Sequence, residues 1–304
     1  MRRPPDAVRV RAAAVALLAA STAFALAGCS GSPADTAGPA RPASTPTSPA
    51  PLPEPTSTLR TPTATDPLRY VALGDSYSSG MGGGGEHGVC RRSPNAFPKQ
   101  LAKSPTIELV DFAACAGATT MDVRQNQLDA LNDSIDLITL TIGGNDLSVS
   151  ALPSACADGE TPTCKAAVAT SVALLKTLPA KLTKTYAKIA QAAPNARILV
   201  ADYPLFYDLP TVDAEDLSGR GRGAAALSAA VTVDTAVASL DATIEDAVQK
   251  QREAGTDIHF VDVSFNGHGV NAKKPWFVLG GVDAFHPTAA GYKRYAKVLG
   301  TFAQ

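Results

Sequence analysis

Five short segments carry near-continuous apolar runs: Arg69 to Leu73, Ile107 to Phe112, Ile135 to Ile142, Ala196 to Ala201 and Ile258 to Val263. Runs of this length, without strict polar alternation, predict strands buried on both faces. Between them, apolar residues recur at helical spacing. Val168, Val172, Leu175, Leu182 and Ile189 fall on one stripe, in which Pro179 predicts a kink or break, and Val237, Leu240, Ile244 and Val248 form a second. Pro287 stands where a first helical turn favours proline and predicts a last helix through Tyr292, Tyr295 and Leu299. Strands alternating with helices require right-handed crossovers, so the expected architecture is α/β: a three-layer α/β/α sandwich with a central parallel sheet of about five strands.

The ends of the pattern divide the chain. Arg2, Arg3, Arg9 and Arg11 precede an apolar run from Ala12 to Ala25 that is short for a membrane span, so residues 1–29 read as an export signal. Leu26-Ala-Gly-Cys29 resembles the bacterial lipobox, whose cysteine becomes a diacylated N-terminus; the alternative is an ordinary signal-peptidase site and a soluble secreted protein. Residues 30–66 hold nine prolines among Ser, Thr, Ala and Gly and predict a disordered tether. At about 3.1 Å per residue it would reach roughly 100 Å from its anchor. The folded domain is then residues 67–304.

Charge and cysteine count sharpen this picture. Loss of residues 1–28 removes four arginines and one aspartate, moving the net charge from −1 to −4 and leaving no basic footprint for nucleic acid. Apart from Cys29, the cysteines are Cys90, Cys115, Cys156 and Cys164, an even number suited to an oxidising compartment. The short loop between Cys156 and Cys164 predicts a local pair, leaving Cys90 with Cys115. A zinc site is the weaker reading, because no Cys-x-x-Cys or His pair accompanies them.

In open parallel sheets ligands bind beyond the carboxyl ends of the strands. There the first strand runs into Gly74-Asp75-Ser76, the third into Gly143-Gly144-Asn145-Asp146, and Asp283-Ala-Phe-His286 precedes the last helix. A hydroxyl, an amide and an Asp/His pair are what acyl transfer needs. Serine attacks well only when a base takes its proton, imidazole titrates near neutrality, and an oxyanion needs donors aimed at it. Each motif alone has a plainer reading, Gly-Asp-Ser as a turn and Gly-Gly-Asn as a tight strand exit.

Together, Gly74-Asp75-Ser76-Tyr77-Ser78-Ser79-Gly80, Cys115-Ala-Gly117-Ala, Gly143-Gly144-Asn145-Asp146 and Asp283-x-x-His286-Pro287 resemble the four blocks of the SGNH/GDSL hydrolases, especially secreted actinobacterial lipases and esterases, over about residues 68–302. The resemblance implies Ser76 as nucleophile, His286 as general base and Asp283 as the residue that orients it. It implies an oxyanion hole from the Ser76 and Gly117 amides and the Asn145 side chain. The family's three-layer fold is the one expected from the strand order. Arg91, Arg92 and Ser93 look like part of its first long loop, which a Cys90–Cys115 pair would brace. Two cysteines that form a third disulfide in several secreted relatives are absent near Gly267-His268-Gly269-Val270 and from the loop after Pro204, which is expected to be freer.

The remaining candidates are weighed against plainer roles. Asp75 is expected to be a buried carboxylate held by nearby amides, His259 a structural residue in a strand, and His87 solvent-facing; His268 is structural or lines the pocket. Trp276 and Phe277 are an acyl-pocket wall or core packing. Asp208, Asp213, Glu215 and Asp216 read as a solvated loop, with calcium a minor alternative. Gly80 to Gly85 lacks side chains apart from Met81, so it is expected to move and widen the entrance. The overall expectation is a monomeric, lipid-anchored, extracytoplasmic serine ester hydrolase. It would need no metal or organic cofactor, act on small-molecule or lipid esters, and meet the membrane only through its anchor. A polysaccharide deacetylase, a thioesterase and a non-catalytic solute-binding lipoprotein are the alternatives.

Overall fold

The computed structural model describes residues 60–208 and 222–303. The export segment, Cys29 and nearly all of the tether lie outside them, as do Asp213, Glu215 and Asp216. Strands β1 (Leu68–Ala72), β2 (Ile107–Phe112), β3 (Leu137–Leu140), β4 (Arg197–Ala201) and β5 (Ile258–Val261) form one parallel sheet in the order β2-β1-β3-β4-β5. All five residues of β4 and all four of β3 are buried, as their apolar runs require. The third strand is shorter than its apolar run. Thr141 leaves the ladder because its amide donates to Ser78 Oγ (2.9 Å) and its hydroxyl to Asp75 Oδ1 (2.7 Å).

Eight helices connect the strands among the described residues: α1 (Ser76–Ser79), α2 (Phe97–Leu101), α3 (Thr120–Asn126), α4 (Leu152–Ala155), α5 (Pro162–Leu175), α6 (Leu178–Ala192), α7 (Arg222–Glu253) and α8 (Ala289–Gly300). Crossover handedness sorts them. The step from β1 to β2 runs opposite to the later ones, which puts α2 on one face, where it packs against α8. Helices α3, α6 and α7 pack together on the other face. Tyr186, Ile189, Val237, Leu240 and Ile244 fill the layer beneath them, the four aliphatic side chains each contributing roughly 1.5–3 kcal/mol by burial. Leu227–Glu253, within α7, is long and apolar enough to cross a membrane, but it packs on β5 and α6 inside this fold.

Pro179 marks the expected break, sitting in the first turn of α6 after α5 has ended, but Val172 is 50% exposed, so the stripe is not continuous. The last helix starts at Ala289 behind Thr288, because Pro287 is engaged in an antiparallel bridge with Phe277. Contacts with the domain reach back before Pro67: the Arg60 guanidinium forks onto Asp136, Nε to Oδ1 at 3.1 Å and Nη2 to Oδ2 at 3.0 Å. Arg60 thus ties the segment before Pro67 to the strand region at Asp136.

Candidate active site

The strand order reverses direction between β1 and β3, and the loops leaving these two strands build the site. Gly74 turns the chain at φ +116°, where a Cβ would stand 2.5 Å from the Thr141 carbonyl oxygen, so only glycine fits. Its peptide is clamped by Gln127, which accepts from the Gly74 N–H (2.7 Å) and donates to its carbonyl (2.9 Å). Asp75 then caps α1, accepting from the Tyr77 amide, and Ser76 stands at the first position of that helix.

Ser76 Oγ lies 2.9 Å from His286 Nε2, and both residues are nearly buried. The proton positions follow from the other ring nitrogen. Nδ1 faces the carbonyl oxygens of Ala284 (3.2 Å) and Asp283 (3.3 Å), which can only accept, so Nδ1 carries the proton. Nε2 is then the acceptor and the serine hydroxyl donates to it. Burial holds the imidazole below its ordinary pKa, opposed by the two carbonyls and the Asp283 charge, with Arg91 lowering it further.

Asp283 is engaged on two sides. Its carboxylate forks onto Arg91, Nη1 to Oδ1 at 2.8 Å and Nη2 to Oδ2 at 3.0 Å, and only its main-chain carbonyl faces the imidazole. Phe285, left-handed at φ +65°, turns the chain between these carbonyls and His286. Its own carbonyl accepts from the Tyr77 hydroxyl at 2.6 Å.

Of the expected oxyanion donors, Ser76 stands on the turn after β1, while Gly117 and Asn145 stand on two loops that are linked to each other. Asn145 Nδ2 donates one hydrogen to the Ala118 carbonyl (2.9 Å), which leaves its second free. Asp146 accepts from the Thr120 amide and hydroxyl, both at 2.8 Å, so the Gly143–Asp146 loop grips the start of α3. The amides of Ser76 and Gly117 find no acceptor among the described residues. Ser76, Asn145 and His286 share a small cleft with Tyr77, Val149, Tyr203, Phe206 and Phe285. Gly117 lines a separate groove with Cys90, Cys115 and Gln127. Cys90 is bonded to Cys115 and Cys156 to Cys164.

Asp75 accepts the Tyr77 amide (3.0 Å), the Thr141 hydroxyl and the Tyr203 hydroxyl; burial pushes its carboxyl up to about 6 against those bonds. His259 bridges Asp257 (2.6 Å) and Arg252 (2.8 Å), His87 is exposed, and His268 stacks on Trp276. Phe277 packs against Phe206 and Phe265 in the core, and Trp276 against Phe265. Neither lines the cleft.

Asp208 is not simply solvated: its carboxylate accepts from the Gly267 and Gly269 amides, both at 2.8 Å. The Gly80–Gly85 loop is packed, which overturns the expected mobile entrance. Glu86 accepts from the Gly82 and Gly84 amides, Ser93 and Asn95 donate to the Gly84 and Gly83 carbonyls, and Tyr292 donates to Met81. Missing side chains here allow close approach rather than motion.

A doubly covered parallel sheet with a serine–imidazole pair at its switch point defines the class of α/β ester hydrolases. Residues 72–294 match the GDSL-like Lipase/Acylhydrolase family, and the chain belongs to that family. It is 38% identical over 248 residues to a lipase of Streptomyces rimosus, covering 78% of this chain and 86% of that protein. It is 36% identical to Lipase 1 of Streptomyces coelicolor, covering 73% and 81%. The crystal structure of the extracellular lipase from Streptomyces rimosus superposes with a TM-score of 0.65 at 34% identity, covering 77% of this chain and 99% of that one. Phospholipase A1 from Streptomyces albidoflavus NA297 gives 0.66 at 34% identity, with the same coverage. The protein is thus a carboxylic ester hydrolase of the lipase/esterase type.

Proposed function

We propose that this protein is an exported, lipid-anchored hydrolase that cleaves acyl esters through an acyl-enzyme on Ser76. The observation that carries the reading is the 2.9 Å approach of Ser76 Oγ to His286 Nε2 in an apolar-walled cleft. Ser76 attacks the ester carbonyl as His286 takes its proton, and the carbonyls of Asp283 and Ala284 stabilise the imidazolium. The amides of Ser76 and Gly117 and the free hydrogen of Asn145 receive the oxyanion. His286 then protonates the leaving alcohol, and water repeats the sequence on the acyl-enzyme. Tyr77, Val149, Phe206 and Phe285 offer the acyl chain an apolar wall. The relatives described as an extracellular lipase and a phospholipase A1 favour a lipid ester and an extracytoplasmic address, and Cys29 within Leu-Ala-Gly-Cys supplies the anchor.

The test is hydrolysis of p-nitrophenyl acetate, butyrate, octanoate and palmitate by the purified protein beside Ser76→Ala. The reading expects a preferred chain length and a loss of about 10³-fold or more in the variant. Equal activity in both proteins would remove Ser76 from the chemistry. Metabolic labelling with a fatty acid analogue tests the anchor, and incorporation must disappear in Cys29→Ala.

A further inference from the structure

The end of β4 brings a side chain to the site that neither β1 nor β3 supplies. Tyr203, two residues beyond Ala201, donates its buried hydroxyl to Asp75 Oδ2 and accepts from the Gly144 amide at 3.2 Å. One oxygen atom therefore joins the Ser76 turn to the loop carrying Asn145. The contact is close on both sides. A Cβ on Gly144 would stand 3.3 Å from Tyr203 Cζ and Oη, and the ring sets its edge on Tyr77, 5.1 Å between centroids. Burial, then the Asp75 charge, keeps the phenol pKa well above its ordinary value, so the hydroxyl retains the proton it donates.

The tyrosine is itself fixed from outside the site. Its amide donates to Asp241 on α7 (3.1 Å), and two turns earlier on that helix Asp234 accepts from the Phe206 (2.9 Å) and Tyr207 (3.2 Å) amides. α7 thus holds the post-β4 segment at the two places where Tyr203 and Phe206 enter the cleft.

We propose that Tyr203 is a positioning residue for the hydrolysis, setting the spacing between the Ser76 turn and the Asn145 loop through its paired bonds to Asp75 and Gly144. The proposal rests on the acyl-enzyme reading above. It follows from where charge appears: the oxyanion sits between a donor on the β1 turn and a donor on the β3 loop. A displacement of one loop against the other weakens transition-state binding while leaving the acyl wall intact.

The experiment compares wild type with Tyr203→Phe, which keeps the ring, and Gly144→Ala, which keeps the hydroxyl but crowds it. Active sites are first titrated with a fluorophosphonate, so that misfolded protein does not enter kcat. The proposal expects kcat per titrated site to fall about 10- to 100-fold in Tyr203→Phe, KM to change less than about threefold, and Gly144→Ala to lie between it and wild type. The inhibition constant of an alkyl boronic acid, which forms a reversible tetrahedral adduct, is expected to rise by the factor lost in kcat. A purely structural tyrosine would lower thermal stability and the titratable fraction while leaving kcat per site within about twofold, and that result overturns the proposal. Failure of the underlying reading is distinct, because wild type itself would then neither react with the fluorophosphonate nor lose activity in Ser76→Ala.

Discussion

Arg91 and Asp283 meet as a bidentate ion pair at 2.8 and 3.0 Å, and that pair turns the carboxylate away from the His286 imidazole it precedes by three residues. The orienting partners of Nδ1 are main-chain carbonyls. A substituted side chain cannot remove a carbonyl. Asp283→Asn is accordingly expected to keep kcat within about tenfold of wild type, where loss of a carboxylate that sets the histidine tautomer costs about 10⁴-fold. Steady-state kinetics on one ester decide between the two, and a loss near 10⁴ would reinstate the carboxylate.

The same pair predicts a pH effect. Burial already depresses the His286 pKa, and Arg91 lowers it further, so the acid limb of kcat/KM is expected below pH 6.5. Arg91→Ala removes a nearby cation and leaves the Asp283 charge unneutralised, both of which favour the imidazolium. The acid limb should move to higher pH, and a profile that stays put or moves to lower pH would contradict this coupling.

Stability should fall as pH rises out of the acid range. Burial pushes the Asp202 carboxyl up to about 8, helped by the neighbouring Asp262, and pushes Asp75 and Asp234 up to about 6. A carboxyl with a raised folded-state pKa binds its proton more tightly in the native protein. Its stabilisation is complete below the unfolded value near 3.9 and is lost as pH climbs through the folded one. Each such proton contributes a slope of up to ~1.4 kcal/mol per pH unit. Denaturation midpoints at pH 5 should exceed those at pH 8.5, and Asp202→Asn, which can still accept from the Val263 amide, should flatten the slope above pH 6. An unchanged slope in that variant would place the effect elsewhere.

The Cys90–Cys115 bond closes a 25-residue separation that begins one residue before Arg91 and ends two residues before Gly117. The paired Cys90→Ser and Cys115→Ser variant should lose about 3 kcal/mol in urea denaturation. Activity should fall as well, since one end of the bond leads to Arg91, the ion-pair partner of Asp283, and the other to Gly117, the proposed oxyanion donor. Full activity with undiminished stability would deny the bond that bracing role.

Much of the fold was legible because β3 and β4 are buried on every residue, which leaves their sequences no polar alternation to confuse. The family blocks were equally visible, since Gly74 and the paired glycines before Asn145 mark where strands stop and the turns carrying Ser76 and Asn145 begin. Long-range pairings were not. Arg91 and Asp283 stand 192 residues apart, and nothing local to either announces the other. Tyr203 carried a usable signal, because it lies just beyond a predicted strand at the edge searched for ligands, yet a lone tyrosine has no motif. The glycine run misled for a physical reason: small residues permit motion and close packing alike, and the acceptors and donors that choose between them here, Glu86, Ser93, Asn95 and Tyr292, include one in a helix two hundred residues away.

The most direct test of the account is covalent. The protein, treated with a fluorophosphonate at pH 7 and digested, should carry the label on the peptide containing Ser76, at a stoichiometry that tracks the loss of ester hydrolysis. His286→Ala should abolish labelling, and Asp283→Asn should leave its rate within about tenfold of wild type. Label on another residue, or hydrolysis that persists in fully labelled protein, would contradict the central claim that Ser76, activated by His286, is the nucleophile.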